Sequence, residues 1–403
     1  MNIMPVANAK ISAIIPCLNE EETLPICVKK ARKAMALLGM DGEVVVGDNG
    51  SSDGSVEVAE RCGARVGHER RVKGYGAAIK AAVCEARHDW MIMADADDSY
   101  DWQNLGPFVE KLREGYEFVI GNRFKGHIHP GAMPFLHRYL GNPLLSRLAR
   151  YFYGIPVGDF HCGMRAFTRD GFRKMNLQTD GMEFATEMVV RAAQEGLRIA
   201  EVPIDLFPDK RSRPPHLRTF RDGWRHLRFI MTYAPNFLYM LPGLVLFVMG
   251  AILQIMLASG PVTIGGFFMG PHFLALALLF TLVGFNILNL GLIAKVYMVK
   301  SAPSMQRRMV AWLQKYFSLE RGLLLGGLLT GGGILFDAIL LYRWLPDRGP
   351  MEDSIHFAFV GTGLIVIGFN IIFSSFLLGM LLGDSIKSQE VRRGKAFRKN
   401  QFQ

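Results

Sequence analysis

Met91-Ile92-Met93-Ala94-Asp95-Ala96-Asp97-Asp98 is an apolar run that ends in acids. The run predicts a strand over 90–94 with Asp-x-Asp at its carboxyl end. Side chains two apart on an extended segment point the same way, so Asp95 and Asp97 face one point. A divalent cation held between them keeps room for phosphate oxygens, which is how Mg²⁺ is usually bound. An isolated Asp-x-Asp is also a solvated acidic turn, so the surroundings decide between the two.

Working outward, strands and helices alternate. Residues 11–16 predict a first strand, 20–38 a helix, and 43–47 a buried strand ending at Asp48. Residues 53–61 and 74–87 predict helices, with a short strand at 64–66. A helix over 102–114 and a strand over 117–121 follow, then a less regular stretch over 122–168. Residues 181–196 predict a helix and 199–206 a late strand. The alternation implies an α/β domain with a mainly parallel, doubly wound sheet. Ligands on such sheets sit beyond the carboxyl ends of the strands, where Pro16, Asp48 and Asp95 all fall.

The second half has a different character. The chain has 403 residues, half of them hydrophobic, and a net charge of +10. Four apolar spans are predicted at about 235–258, 272–294, 322–342 and 355–382, each near the length that crosses a bilayer. Lys295, Lys300, Arg307, Arg308, Lys315 and Arg321 crowd the middle loop, and six more basic residues follow residue 382. The 259–271 turn has neither Lys nor Arg. The positive-inside rule therefore places the middle loop, the tail and the N-terminal domain on the cytoplasmic side. The expected protein is multi-pass, in a bacterial inner or plasma membrane. Residues 1–10 lack a signal-peptide core. Five cysteines, odd in number and without a CxxC pair, speak for a reducing compartment. No nucleic-acid-binding signature accompanies the basic charge.

Residues 216–231 join the halves. Leu217, Phe220, Trp224, Leu227 and Met231 share one helical face, and Arg218, Arg221, Arg225 and Arg228 lie largely off it. Such a helix suits a membrane interface; the alternative is a helix packed on the soluble domain. The expected domains are 1–215 (soluble), 216–232 (interfacial), 233–384 (transmembrane, an all-α unit of four helices) and 385–403 (basic tail).

Pro16-Cys17-Leu18-Asn19-Glu20, Asp-Asn-Gly-Ser-Ser-Asp-Gly at 48–54, Lys-Gly-Tyr-Gly-Ala-Ala at 73–78 and Asp-Ala-Asp at 95–97 stand in a telling order. Together they resemble family 2 glycosyltransferases of the GT-A fold, over about residues 10–230. With four spans added, the chain looks most like the polyprenyl-phosphate (dolichyl-phosphate) hexose synthases. The resemblance implies a nucleotide-sugar donor, a polyprenyl phosphate acceptor, Mg²⁺ or Mn²⁺, and the possibility of a homo-oligomer. UDP-glucose is the first donor it suggests and GDP-mannose the second.

The same resemblance distributes roles. Pro16, Leu18, Glu20 and Asp48 would hold the nucleobase and ribose. Relatives often carry two adjacent acids where this chain has Asp48-Asn49, and Asn49 can still hydrogen-bond a base. Asp95, Ala96 and Asp97 would bind the donor, with Asp95 and Asp97 on the metal and Ser99 a shorter ligand acting through water. Lys73 and the free amides of a helix start favour phosphate, while a simple turn and helix cap is the other reading. Arg123 and Arg138 suit phosphate through their planar forks. Asp159 is the candidate base, although a lipid monophosphate is mostly ionised at neutral pH and needs little proton removal. Lys210, Arg211 and Arg213 look like the basic loop that closes over donor and acceptor phosphates.

Other features are weaker. His161 and Cys162 are adjacent on an extended segment and point apart, which disfavours a metal pair. Glu183 and Glu187 share a helix face that serves either an acceptor site or an Arg partner. Asp337 is the acid within the spans. Two rival functions remain: a processive polysaccharide synthase, for which Gln-x-x-Arg-Trp is missing, and a non-catalytic lipid-binding membrane protein.

Overall fold

Short runs rich in Ile and Val make poor isolated helices and good buried strands. The computed structural model describes residues 10–155, 157–212, 219–301, 312–313, 315–347 and 355–400. In it these runs become β1 (Ile11–Cys17), β2 (Gly42–Asp48) and β4 (Trp90–Met93), with β1 buried at every position. β3 (Arg65–His68), β5 (Phe118–Asn122), β6 (Arg165–Thr168) and β7 (Ile199–Pro203) complete a seven-stranded sheet of order β3-β2-β1-β4-β6-β5-β7. β6 runs antiparallel to both of its neighbours, and the other pairings are parallel. Cys17 stands beside Asp48 and Ile14 beside Met93, so the carboxyl ends of β1, β2 and β4 open on one edge.

Helices follow from the 3.6-residue spacing. α1 (Leu24–Leu37) buries Leu24, Cys27, Val28, Ala31, Ala34 and Met35 as one stripe, and a proline pre-sets its first turn. α2 (Ser55–Arg61), α3 (Tyr75–Glu85), α4 (Gly106–Arg113), α6 (Arg169–Met175) and α7 (Phe184–Gln194) fill the crossovers.

The stretch expected to be irregular, 122–168, is more ordered than its composition implies. It holds a π-turn (His137–Gly141), the helix α5 (Asn142–Tyr153) and strand β6. α5 hides only Ser146, Ala149 and Tyr153, leaving Leu144 and Tyr151 outside, so its apolar period is blurred. β6 begins with a fully buried arginine, Arg165, a residue type that seldom marks an inner strand.

The chain divides into two units, Met1–Thr232 and Tyr233–Gln403. The second contains helices long and apolar enough to cross a membrane at Asn236–Leu257, Pro271–Met298, Leu319–Pro346 and Ile355–Leu382. The unit is not wholly helical. Val262–Ile264 and Phe267–Met269 pair as a hairpin whose two linking residues, Gly265 and Gly266, both have left-handed φ, as a tight two-residue turn requires.

Close backbone approach holds the spans together. A Cβ on Gly284 would lie 2.3 Å from the amide of Phe247, and one on Gly326 would lie 2.7 Å from the carbonyl of Gly368. Small residues are the usual means of such packing where lipid removes the hydrophobic drive. Gly284→Val should therefore destabilise this unit by about 2 kcal/mol or more, seen as unfolding at lower denaturant in detergent; an unchanged midpoint would mean the helix pair tolerates separation. Some polar side chains inside the unit find partners: Gln254 donates to the carbonyl of Phe359 at 3.3 Å, and Asn289 to Ser374. Asp337 differs, with Oδ1 shielded, without a hydrogen-bond partner, and packed over Gly361.

Candidate active site

The loop after β4 leaves the sheet edge and turns sharply, because Asp98 adopts φ 60°. Asp95 is part-exposed and Asp97 is 7% exposed. Burial, and then the charge of Asp97 beside it, push the Asp95 carboxyl up to about 6. The Tyr75 hydroxyl donates to Asp95 Oδ1 at 2.9 Å and works the other way. Asp97 Oδ1 accepts from the amide of Ser99 at 3.0 Å and from its hydroxyl at 2.6 Å. Ser99 thus serves Asp97 first, instead of standing free as a metal ligand. Among the described residues no group of three or more His, Cys, Asp or Glu side chains is placed to hold a metal.

Cations lie against these acids. Arg211 pairs with Asp97 Oδ2, with Glu20 at 3.2 Å and with Asp209 at 3.4 Å. Lys210 lies 2.7 Å from Asp98, and Lys30 lies 2.6 Å from its other oxygen. Burial opposes the Arg211 charge, and the carboxylates of Asp97 and Glu20 outweigh it, so its pKa rises. The basic loop foreseen over phosphates thus lies on carboxylates. Arg213 falls outside the described residues, as do Leu217 and Arg218.

Asp159 occupies a different setting from that of a base. It has no exposed surface, and both oxygens grip Arg123: Nε donates to Oδ2 at 2.6 Å and Nη2 to Oδ1 at 2.8 Å. The amides of Arg123 and His161 add 3.2 and 3.3 Å bonds to the same carboxylate. Its lone pairs are committed, so the expectation of a proton acceptor gives way to that of a clamp on Arg123. Arg138 sits in the π-turn with its guanidinium 5.5 Å from the ring of Tyr139.

The nucleotide side is also rearranged. The Asn49 amide spends both ends on protein: Nδ2 donates to the carbonyls of Glu69 (2.9 Å) and Val72 (2.8 Å), and Oδ1 accepts from the amide of Gly74. It fastens the 69–74 loop instead of offering an edge to a base. Lys73 donates to the Asn49 carbonyl at 2.7 Å. The α3 amides are not free either, since those of Gly76 and Ala77 donate to the carbonyl of Asp180. Gly74, at φ 151°, permits that approach; a Cβ there would lie 2.1 Å from the Asp180 oxygen. The helix-cap reading describes this segment.

Asp48 is buried, which raises its pKa, but hydrogen bonds from Ser51, Gly50 and His68 outweigh burial and hold it below its ordinary value. Pro16 closes the buried end of β1, Leu18 is half-buried, Glu20 faces Arg211, and Ala96 takes the Cys27 thiol on its carbonyl.

Residues 12–175 match the description "Glycosyl transferase family 2", and residues 292–382 match "Glycosyltransferase family 2 C-terminal transmembrane region". A low-salt glycan biosynthesis hexosyltransferase of Haloferax volcanii is 37% identical over 374 residues, spanning 92% of this chain and 89% of that protein. The chain belongs to glycosyltransferase family 2. A dolichyl-phosphate hexose transferase of the same organism is 38% identical over 164 residues, 40% of this chain and 68% of that one. Glucosyl-3-phosphoglycerate synthase of Mycobacterium tuberculosis, a solved structure, overlaps 56% of this chain and 78% of that one at 23% identity, with a TM-score of 0.43. That last likeness is too loose to bear on the site.

In this family 2 glycosyltransferase, two positioning groups, Glu201 and Arg165, had no sequence signal. Glu201 on β7 accepts from Asn122 (3.1 Å), from the amide of Gly158 and from Lys125 (2.7 Å), tying together the two loops that carry Arg123 and Asp159. Arg165 sends its guanidinium to the carbonyls of Cys162 (2.8 Å), Phe160 (3.0 Å) and Ala185. Glu187, read as serving an acceptor site or an Arg partner, accepts from the amides of Gln178 and Thr179 and lies 3.7 Å from Arg191, so it clips a loop and takes the Arg partner. A Glu or Arg in a variable-looking stretch reads as surface until its partners are known.

The helix before the spans, α8 (Thr219–Thr232), packs against the first unit, which is the alternative considered for it. His226, Phe229 and Ile230 are buried, and the Tyr153 hydroxyl donates to the Ile230 carbonyl at 2.7 Å. Trp224 stays 60% exposed. The packed side is thus not the Trp224–Leu227–Met231 stripe, because α5 and α7 select a neighbouring face.

Proposed function

We propose that the enzyme moves a hexose from a nucleoside-diphosphate sugar to a polyprenyl phosphate, with inversion. The observation that carries this reading is the Asp95–Asp97 pair at the carboxyl edge of the sheet, facing basic side chains, in a chain with four apolar spans. Two hard-oxygen carboxylates suit Mg²⁺ or Mn²⁺. Burial first and the charge of Asp97 second raise the Asp95 pKa, and a dication would offset both. The bound ion would neutralise the diphosphate as it leaves.

The chain's own residues do the rest. The phosphate oxygen of the acceptor attacks the anomeric carbon, that carbon's bond to the diphosphate breaks, and a nucleoside diphosphate departs. Arg123, held rigid by Asp159, presents its remaining guanidinium edge to phosphate, while Lys210 and Arg211 supply charge to the donor. Asp159 acts through Arg123, because an ionised acceptor has no proton to give. Arg138 extends the basic lining toward the acceptor. Exposed Phe135, Tyr139, Leu140, Leu144 and Tyr151, with Trp224, offer aromatic and apolar surface suited to a bilayer interface through which the acceptor arrives. The basic flanks of the spans favour a cytoplasmic catalytic unit.

Labelled UDP-glucose, GDP-mannose and UDP-galactose, each with polyprenyl phosphate and Mn²⁺, test the reading. A labelled single sugar extracted into organic solvent is expected from one of them, with UDP-glucose first and GDP-mannose second. A water-soluble polymer would indicate a processive synthase, and no labelled product from any donor would indicate a non-catalytic protein; either overturns the proposal.

A further inference from the structure

Residues 207–212 lie along the acidic loop, joined to it backbone to backbone. The amide of Phe207 donates to the carbonyl of Ser99 at 2.9 Å, and that of Lys210 to the carbonyl of Asp97 at 3.2 Å. Ser212 Oγ donates to Glu22 at 2.8 Å and closes the far end. Arg211 is thereby fed between Glu20 and Asp97, with its side chain only 13% exposed. Its Nη1 and Nη2 donate to Glu20, Asp97 and Asp209, while its Nε is shielded and has no acceptor.

Asp97 Oδ1 is already taken twice by Ser99, which leaves Oδ2 as the oxygen open to a cation. That oxygen is the one Arg211 occupies. We infer that Arg211 is a latch, which takes the cation's place on Asp97 in the donor-free enzyme and must leave Oδ2 before a divalent ion can bind there. This inference rests on the metal reading proposed above. Its consequence is that cation and donor load together: the diphosphate gives Arg211 a new anion as the ion claims Asp97. A site that is open only a tenth of the time binds about tenfold more weakly than it would unlatched.

The test is Mn²⁺ binding to the full chain in detergent, read from the electron paramagnetic resonance of free Mn²⁺, with and without UDP or GDP. The wild type is expected to bind Mn²⁺ weakly alone and more tightly with one of the nucleotides. Arg211→Gln is expected to bind Mn²⁺ alone about tenfold more tightly, and to gain less on adding nucleotide. Arg211→Lys, which keeps the charge on a shorter reach with a single ammonium, is expected to gain about threefold, and it carries the test if the glutamine variant fails to fold. Lys30→Gln removes the same charge from beside Asp98 without vacating Asp97, and should change little. Unchanged Mn²⁺ affinity in Arg211→Gln, or an equal gain in Lys30→Gln, overturns the latch while the metal reading stands. A wild type that binds no Mn²⁺ even with nucleotide overturns both.

Discussion

Asp97→Asn is expected to lower hexosyl transfer by about a thousandfold while the protein stays folded. The size follows from losing one of two carboxylates that would hold the diphosphate's counter-ion, an electrostatic contribution of several kcal/mol. The fold should survive because the amide oxygen can still accept from Ser99, as Asp97 Oδ1 does now. Arg211 loses a partner, but Glu20 and Asp209 remain. Asp95 gains, since the charge that helps push its carboxyl up to about 6 is gone. Organic-phase product formation and the thermal midpoint, measured together, check this. Transfer within tenfold of the wild type at an unchanged midpoint would show that the diphosphate is held elsewhere.

Asp159→Asn is expected to act on stability before chemistry. A general base replaced by its amide leaves a folded, inactive enzyme. A clamp replaced by its amide leaves Arg123 buried with its charge uncompensated, which costs about 3–5 kcal/mol. Asp159 has no exposed surface and Arg123 has 8%, so water cannot make good the loss. The thermal midpoint of the full chain should fall by on the order of 10 °C. Replacing both partners, as Arg123→Met with Asp159→Leu, should restore most of the stability and none of the transfer, because two apolar groups need no compensation. An Asp159→Asn protein with a wild-type midpoint and no turnover would return Asp159 to the role of base.

These two substitutions divide along what could be read from the chain. The Asp95–Asp97 placement was legible because it rests on local rules: an apolar run makes a strand, and alternate residues on a strand share a side. The parallel sheet and four spans were legible for the same reason, since each is set by the spacing and length of apolar runs. β6 and α5 were not, because a buried arginine and outward-facing leucines break the pattern that betrays such elements. Asn49, after β2, and Lys73, before α3, could not be assigned partners from the sequence, and their atoms are spent on Glu69, Val72, Gly74 and one another.

The sequence by itself determined most of the elements, the acidic edge and the membrane unit, because each is written in residues close to one another along the chain. Only the tertiary structure decided what each charge faces. Asp159 meets Arg123 across 36 residues and Arg211 meets Asp97 across 114. Pairing at that range depends on how the whole sheet brings distant loops together, and a shielded charge takes its role from the partner it finds there.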